Sequence, residues 1–270
     1  MPTTIEIEGY LEQKLDVLVA TGLYATKTEA VRDAIRRLVQ QVDIVTILLN
    51  MYRRGKVSLG YCAEASDLSF NEMLLVMQKK GYKPKLGVDE LGLVEKEVRV
   101  LDSVDSVVVE GFTLGVLGDC LGDKIFLGKP WRVQLTQHQV EHLSLEIRRS
   151  VISKLNNGVV FVSGIRSVDE LSSQNAISKG EAASILAASK SGATLVADDE
   201  RVRATAERVG VRVAGSISVV LYLLARGFIG EQEALRSYEK LLGLGYYLPL
   251  SPSELSSKKF SKGVLGVVGE

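Results

Sequence analysis

SKGEAASILAASKSGATLVADDERVRATAERVGVRVAGSISVVLYLLARGFI, residues 178–229, decides how the chain folds. Gly180-Glu181 opens an amphipathic helix with Ala182, Ile185, Leu186 and Ala187 on or near its inner stripe. A short apolar strand over residues 194–197 ends at once in Asp198-Asp199-Glu200. A helix over residues 201–209 follows, then a second short strand over 211–214. Gly215-Ser216 then leads into an apolar helix. Strand, helix, strand, helix in this rhythm predicts parallel strands with right-handed crossovers. Ligands of such sheets sit beyond the carboxyl ends of the strands, where Asp198 and Asp199 fall. Carboxylates gathered there are the hard oxygen ligands that Mg2+ or Mn2+ takes.

Outward from this stretch, residues 107–109 are Val-Val-Val and run into Glu110-Gly111-Phe112-Thr113-Leu114. TQHQVEHL starts at Thr136. Together these segments resemble the PIN-domain family, most closely its toxin-like branch. That branch has a GEA helix, a DD strand end and a G-[ST]-x-x-[VL]-L turn, matched here by Gly180-Glu181-Ala182, Asp198-Asp199 and Gly215-Ser216. The resemblance runs from about Ser106 to the GYYLPLSPSEL segment near Leu255. It implies a three-layer α/β domain with a parallel sheet, over residues 105–255. It also implies a metal-dependent ribonuclease, often the toxin of a toxin–antitoxin pair. Residue by residue, it places Glu110 at the family's first Asp, Glu181 at the third acid and Asp199 at the fourth, with Asp198 adjacent. The second acid falls on His142, with Glu141 beside it. The implied catalytic residues are Glu110, Glu181 and Asp199, and the implied Mg2+ or Mn2+ ligands are these three and Asp198. Arg201 and Arg203 follow the acids and are candidates to hold an RNA backbone. The alternative for Asp198-Asp199-Glu200 is a helix start stabilised by acids.

Residues 1–41 predict a short strand over 3–8, with Ile5 and Ile7 on one face, then two helices separated near Gly22. Thr26 or Thr28 caps the second helix. The motif GLYATKTEAVRDAIRRLV, residues 22–39, resembles the ribbon-helix-helix family. The resemblance implies dimerisation by antiparallel strand pairing and a ribbon that enters a DNA major groove. Thr4 and Glu6 would then face the bases, and Lys27 and Thr28 would meet a phosphate at the helix start. The ribbon shows Glu6 and Glu8 and no Arg or Lys, so a module that only dimerises stays open.

Residues 42–85 predict a second helical unit, in which Ser69 and Glu72 form a capping box. GKVSLGYCAEASDLSFNEMLLVMQKKG, residues 55–81, resembles a small prokaryotic family with a helix-turn-helix core, often the antitoxin partner of PIN-like toxins. Residues 86–104 read as a linker, and residues 256–270 as a polar, glycine-rich tail.

Lys plus Arg equals Asp plus Glu at 33 each, which excludes a protein that is basic all over but not a local basic patch. No apolar run reaches the length of a membrane span, and the start has no signal-like pattern. Cys62 and Cys120 lack metal spacing. The expectation is a cytoplasmic antitoxin–toxin fusion, a homodimer or higher even oligomer, with operator DNA or RNA as partner. Two functions stay open. One is a restrained or degenerate metal-dependent ribonuclease. The other is a non-enzymatic DNA-binding regulator or scaffold with an inactive PIN domain.

Overall fold

A computed structural model describes residues 4–122, 124, 131–136, 139, 160–162 and 167–251. The chain divides into two compact units, residues 1–47 and 48–270.

The first unit holds α1 (Tyr10–Ala20) and α2 (Lys27–Gln41). Thr26 is the cap of α2, taking a 3.1 Å hydrogen bond from the Glu29 N–H. The Glu29 carboxylate reaches back to the Ala25 N–H at 2.9 Å. Tyr24 donates to Asp33 at 2.7 Å, which fixes the turn against the helix. Residues 4–8 form no strand in this chain, contrary to the sequence expectation. A lone strand has no ladder partner for its N–H and C=O groups, so the pairing must come from outside the chain or not at all. Of the two helices only Ala30 is buried.

The second unit begins within α3 (Ile44–Arg53) and continues through α4 (Leu59–Ala65) and α5 (Phe70–Lys79). Ser58 caps α4, and Ser69 with Glu72 forms the expected capping box on α5. Leu49, Leu59, Cys62, Met73 and Met77 are fully buried between these helices and the rest of the unit. Residues 48–82 therefore belong to the same compact body as the sheet rather than to a separate module.

The expected linker is also part of that body. Residues 91–102 form α6 (Leu91–Asp102), with Val94, Val98 and Leu101 buried at helical spacing. The sheet has five parallel strands in the order β3-β2-β1-β4-β5. They are β1 (Ser106–Val109), β2 (Arg132–Thr136), β3 (Val160–Val162), β4 (Thr194–Val196) and β5 (Val213–Ala214). Between them run α7 (Gly111–Leu121), α8 (Val168–Asn175), α9 (Lys179–Ser191), α10 (Glu200–Arg208) and α11 (Ser216–Ala225), and α12 (Glu231–Gly243) follows. The core packs Val108, Ile185, Leu195, Ala197, Val202 and Ala206 against one another. Burial of every residue of β1 past its first and of all three of β4, apolar but for Thr194, fits strands covered on both faces.

From β1 the chain moves outward to β2 and β3, then returns to β4 and β5 on the other side of β1. The order reverses between β1 and β4, and the crevice beyond their carboxyl ends is where such sheets bind ligands. Glu110 leaves β1 and Asp198-Asp199 leave β4 at that point. Among the described residues no helix is long and apolar enough to cross a membrane.

Candidate functional site: a closed acidic centre

Four acids meet at this crevice, all buried. Glu110 caps α7, accepting from the Phe112 and Thr113 N–H groups at 3.0 Å each and from the Thr113 hydroxyl at 3.2 Å. Its own N–H binds the Val196 carbonyl at 2.9 Å, so the ends of β1 and β4 are tied together. Asp199 caps α10 through the Arg201 N–H at 2.9 Å and the Val202 N–H at 3.3 Å. Glu181 closes a capping box with Ser178, taking the Ser178 N–H at 2.6 Å. Glu110, Asp199 and Glu181 thus each stand at a helix start; the sequence offered that reading only for Asp198-Asp199-Glu200.

Capping does not account for the rest. The Ser58 hydroxyl donates to Glu181 at 2.5 Å, and the Leu59 N–H donates to the second oxygen of Asp199 at 3.0 Å. The start of α4 is therefore seated on two of the acids, with Ser58 and Leu59 fully buried. Gly60 is there because nothing larger fits: a Cβ would lie 2.4 Å from the Glu181 Oε1. Three further bonds hold the segment down. Arg201 Nη1 binds the Gly55 carbonyl at 2.6 Å, the Ser58 N–H binds the Ala176 carbonyl at 3.1 Å, and the Lys179 N–H binds Glu64 at 2.9 Å.

Electrostatics follow from burial. Desolvation raises the Glu181 carboxyl to about 8, helped by the charges of Asp199 and Glu110. Desolvation raises Asp199 to about 6 against the pull of the Leu59, Val202 and Arg201 N–H groups. Glu110 is raised as well, by burial first. Crowded carboxylates without a cation hold protons in this way.

Asp198 plays a different part from its neighbour. Its carboxylate accepts from the Ser216 N–H at 2.7 Å, the Ser216 hydroxyl at 2.5 Å and the Tyr246 hydroxyl at 3.1 Å. That gives the Gly215-Ser216 motif a physical meaning: Ser216 opens α11 by holding Asp198. The expected metal ligand Asp198 is thereby committed to three protein donors.

Two expected RNA contacts are placed elsewhere. Arg203 is buried, with Nη2 on Glu97 and Nη1 on the Ala197 carbonyl at 3.0 Å. Glu97 in turn takes the Gly215 N–H at 2.8 Å and the Ser218 hydroxyl at 2.6 Å. A buried guanidinium with a carboxylate partner is a structural pair, since leaving it alone in the interior would be costly. Arg201 spends Nε on the Asn175 carbonyl at 2.5 Å and Nη1 on Gly55. In the first unit Thr4, Glu6 and Thr28 are exposed. The Lys27 ammonium pairs with Glu12 at 3.2 Å and Asp16 at 2.7 Å on the surface of the unit. Glu141 and His142 lie outside the described residues.

Gln139 belongs to the centre and was not expected there. It is buried, giving its amide to the Val109 carbonyl at 2.5 Å and the Ser184 hydroxyl at 2.8 Å. Its Oε1 accepts from the Thr136 N–H at 2.6 Å, and its N–H binds the Thr136 hydroxyl at 3.2 Å. Thr136-x-x-Gln139 is a capping-box spacing, and that was the signal that could have found it. Phe70, the first residue of α5, stacks on Phe112 with ring centroids 3.4 Å apart. The two cysteines are buried or half-buried thiols, raised to about 12 and about 11 by desolvation, as inert structural thiols are.

The oxygen donors are those a hard divalent cation takes, but their arrangement does not fit one. Among the described residues no three His, Cys, Asp or Glu side chains are placed to hold a metal ion. Both Glu110 oxygens, both Asp199 oxygens and Glu181 Oε2 accept from Ser58, Leu59 or the helix starts.

A family model described as DUF3368, PIN domain, matches residues 141–257. The match takes in Glu181, Asp198 and Asp199, stops short of β1 and Glu110, and covers less than half of the chain. No curated protein and no solved structure matches the chain.

Proposed function

We propose that this chain is an antitoxin–toxin fusion of prokaryotic, cytoplasmic type whose PIN-like half is a restrained or degenerate metal-dependent ribonuclease. The observation that carries the reading is the seating of Ser58 and Leu59 on Glu181 and Asp199. The segment that supplies them has the antitoxin-like GKVSLG sequence, and the acids it covers stand at the crevice of the parallel sheet. Fusion keeps the inhibitor at high effective concentration. Mg2+ or Mn2+ is the expected ion, and it requires the start of α4 to leave first.

The first unit is proposed to pair with a second copy. Ile5, Leu11, Ile35, Leu38 and Val39 are all about half exposed or more, an apolar surface too large for so small a unit. Pairing residues 4–8 of two copies would give the missing strand its ladder.

The second reading is a non-enzymatic DNA-binding regulator or scaffold with an inactive PIN domain. What favours its inactive centre is that every acid there already has protein donors. Its DNA-binding part is weakened by one contact: the first residue of α5 is spent on Phe112.

The deciding experiment uses the full chain and a Ser58→Ala/Leu59→Pro variant. Leu59 is the first residue of α4, where proline is tolerated, and Ser58 is already extended, so the backbone loses little but the N–H; because the change also trims the buried Leu59 side chain and the Ser58 cap, the variant's folded state is checked by circular dichroism first. Melting temperature is followed in Mn2+ and in EDTA, with cleavage of a labelled RNA as a second readout. A restrained nuclease gains a metal-dependent thermal shift and cleavage in the variant, both lost again with Asp199→Asn. A thermal shift without cleavage marks a degenerate site, and neither marks the scaffold.

A further inference from the structure

Between α4–α5 and the sheet side of the second unit lies a cavity of about 490 Å3, within the size of a site for a small organic molecule, about 300–1,000 Å3. One wall comes from residues 60–70 and the other from the starts of α7 and α9 and from Gln139. Its larger apolar side chains are Leu68, Phe70 and Phe112. Phe70 and Phe112 belong to opposite walls and stack on one another, yet both rings stay half-buried, so aromatic surface is left uncovered. The neutral polar groups of the lining are already spent. Gln139 is held by Val109, Ser184 and Thr136, the Ser178 hydroxyl takes the Glu181 N–H at 3.2 Å, and the Ser69 hydroxyl donates to Glu72 at 2.7 Å. What is left to recognise a ligand is apolar surface and charge.

The charge has one sign. Glu64 and Asp67 line the cavity as exposed residues and Glu110 as a buried one. Among the described residues no lysine, arginine or histidine lines it. Lys179, whose N–H binds Glu64, turns its ammonium onto Asp169 at 2.9 Å. Carboxylates attract an ammonium group, and so does the face of a phenylalanine ring. The same carboxylates repel a phosphate, so the cavity does not continue a nucleic-acid path. The ligand that fits has a small flat apolar body and one cationic group. Its place in the fold gives occupancy a consequence. One wall is α4, whose start is seated on Glu181 and Asp199, and Gly60 lies both on the cavity and against Glu181. When α4 leaves the acids the walls part and the site is lost. A ligand that binds only the closed form stabilises it by mass action.

We infer that this cavity binds a small aromatic amine and that its occupancy holds α4 on the acidic centre. The effect on activity rests on the nuclease reading; the binding and the clamp do not. The test is calorimetric titration of the full chain with tryptamine in EDTA. Indole-3-acetate has the same ring with the opposite charge, and ethylamine has the charge without the ring. Tryptamine should bind saturably at one site, and each of the other two at least about tenfold more weakly. Asp67→Asn suits the positive φ of 52° there, and Glu64→Gln keeps an oxygen for the Lys179 N–H. Together they should weaken tryptamine about three- to tenfold. Leu68→Trp, which fills the cavity without touching a charge, should block it, and the Glu64 and Asp67 pair stands alone if that variant fails to fold. Glu207→Gln, an exposed charge in the last turn of α10, should leave binding within about twofold. Hydrogen exchange at the Leu59 N–H, which Asp199 accepts, should slow as tryptamine saturates the chain. No saturable binding, indole-3-acetate or ethylamine bound as tightly, or equal weakening by Glu207→Gln overturns the site. A single-stranded oligouridylate whose binding is lost in Leu68→Trp overturns the ligand class. Tryptamine bound with Leu59 exchange unchanged overturns the clamp. An opened centre that fails to cleave RNA, with these results intact, counts against the nuclease reading alone.

Discussion

The Ser58 hydroxyl meets the Glu181 carboxylate at 2.5 Å across 123 positions of sequence. Glu181 is the acid at the start of α9, and Ser58 opens a helix from the other half of the chain. Their hydrogen bond ties a predicted inhibitor segment to a predicted catalytic residue.

Gly60 sets the closeness of that approach. Gly60→Ala should cost about 1–3 kcal/mol of stability, the range of an overpacked core site. The clash is with the Glu181 Oε1 and Cδ, in a carboxylate whose other oxygen is held by Ser58 and Ser178. Denaturant titration of the full chain checks it, and a neutral result would mean that α4 sits less tightly than described.

The acids should also write a pH dependence. Glu181 is raised to about 8 and Asp199 to about 6 in the folded protein, above their unfolded values. The native state then keeps protons that the unfolded chain has released. The contribution of these two acids in EDTA is full below the unfolded carboxylate range, near about pH 4, and is lost as pH rises toward about 8. Glu181→Gln mimics the protonated acid, so it should raise the melting temperature near the top of that range and change little at the bottom. Thermal melts across pH read this directly, and an unchanged slope in the variant would contradict it.

Arg203 should behave as a core residue. Arg203→Ala leaves Glu97 buried without its cation and should cost about 3–5 kcal/mol. Glu97→Gln/Arg203→Met should recover part of that loss. Urea unfolding of the three variants measures it, and a mild effect of Arg203→Ala would return this side chain to the surface. For the same reason a fragment that starts at residue 105 is a poor test of activity, because it lacks Glu97.

Assembly is the remaining prediction. Light scattering at micromolar concentration should give a dimer or an even multiple, and Leu38→Glu should shift it to monomer. A clean monomer for the native chain would rule the pairing out.

The sheet could be read from sequence because its signal is local. Thr194-Leu195-Val196 is a short apolar run, and the acids after it mark the strand end. The Asp198-Asp199 pair was legible for the same reason, whereas Glu110 and Glu181 came into the candidate site only through the resemblance to the PIN-domain family. The burial of Arg203 could not be read because a charged residue in a helix says nothing about which face it takes. That is set by partners such as Glu97, 106 positions away. Residues 86–104 read as a linker in which residues 91–101 could be a short helix or strand; Val94, Val98 and Leu101 carry the period that decides for the helix, and nearby glycine, proline and charges masked its packing. The Leu59 contact was beyond reach in principle, because a main-chain N–H leaves no trace in residue identity.

That last point bears on how such a closure would age. A restraint made by side chains erodes as substitutions accumulate, and a lineage could lose it in one step. Here the Asp199 half of the closure is a main-chain donor, which every residue at position 59 except proline would still provide. Drift in this segment would then be filtered at Gly60 and Ser58 for the contact itself and at Leu59 only for the space its buried side chain fills.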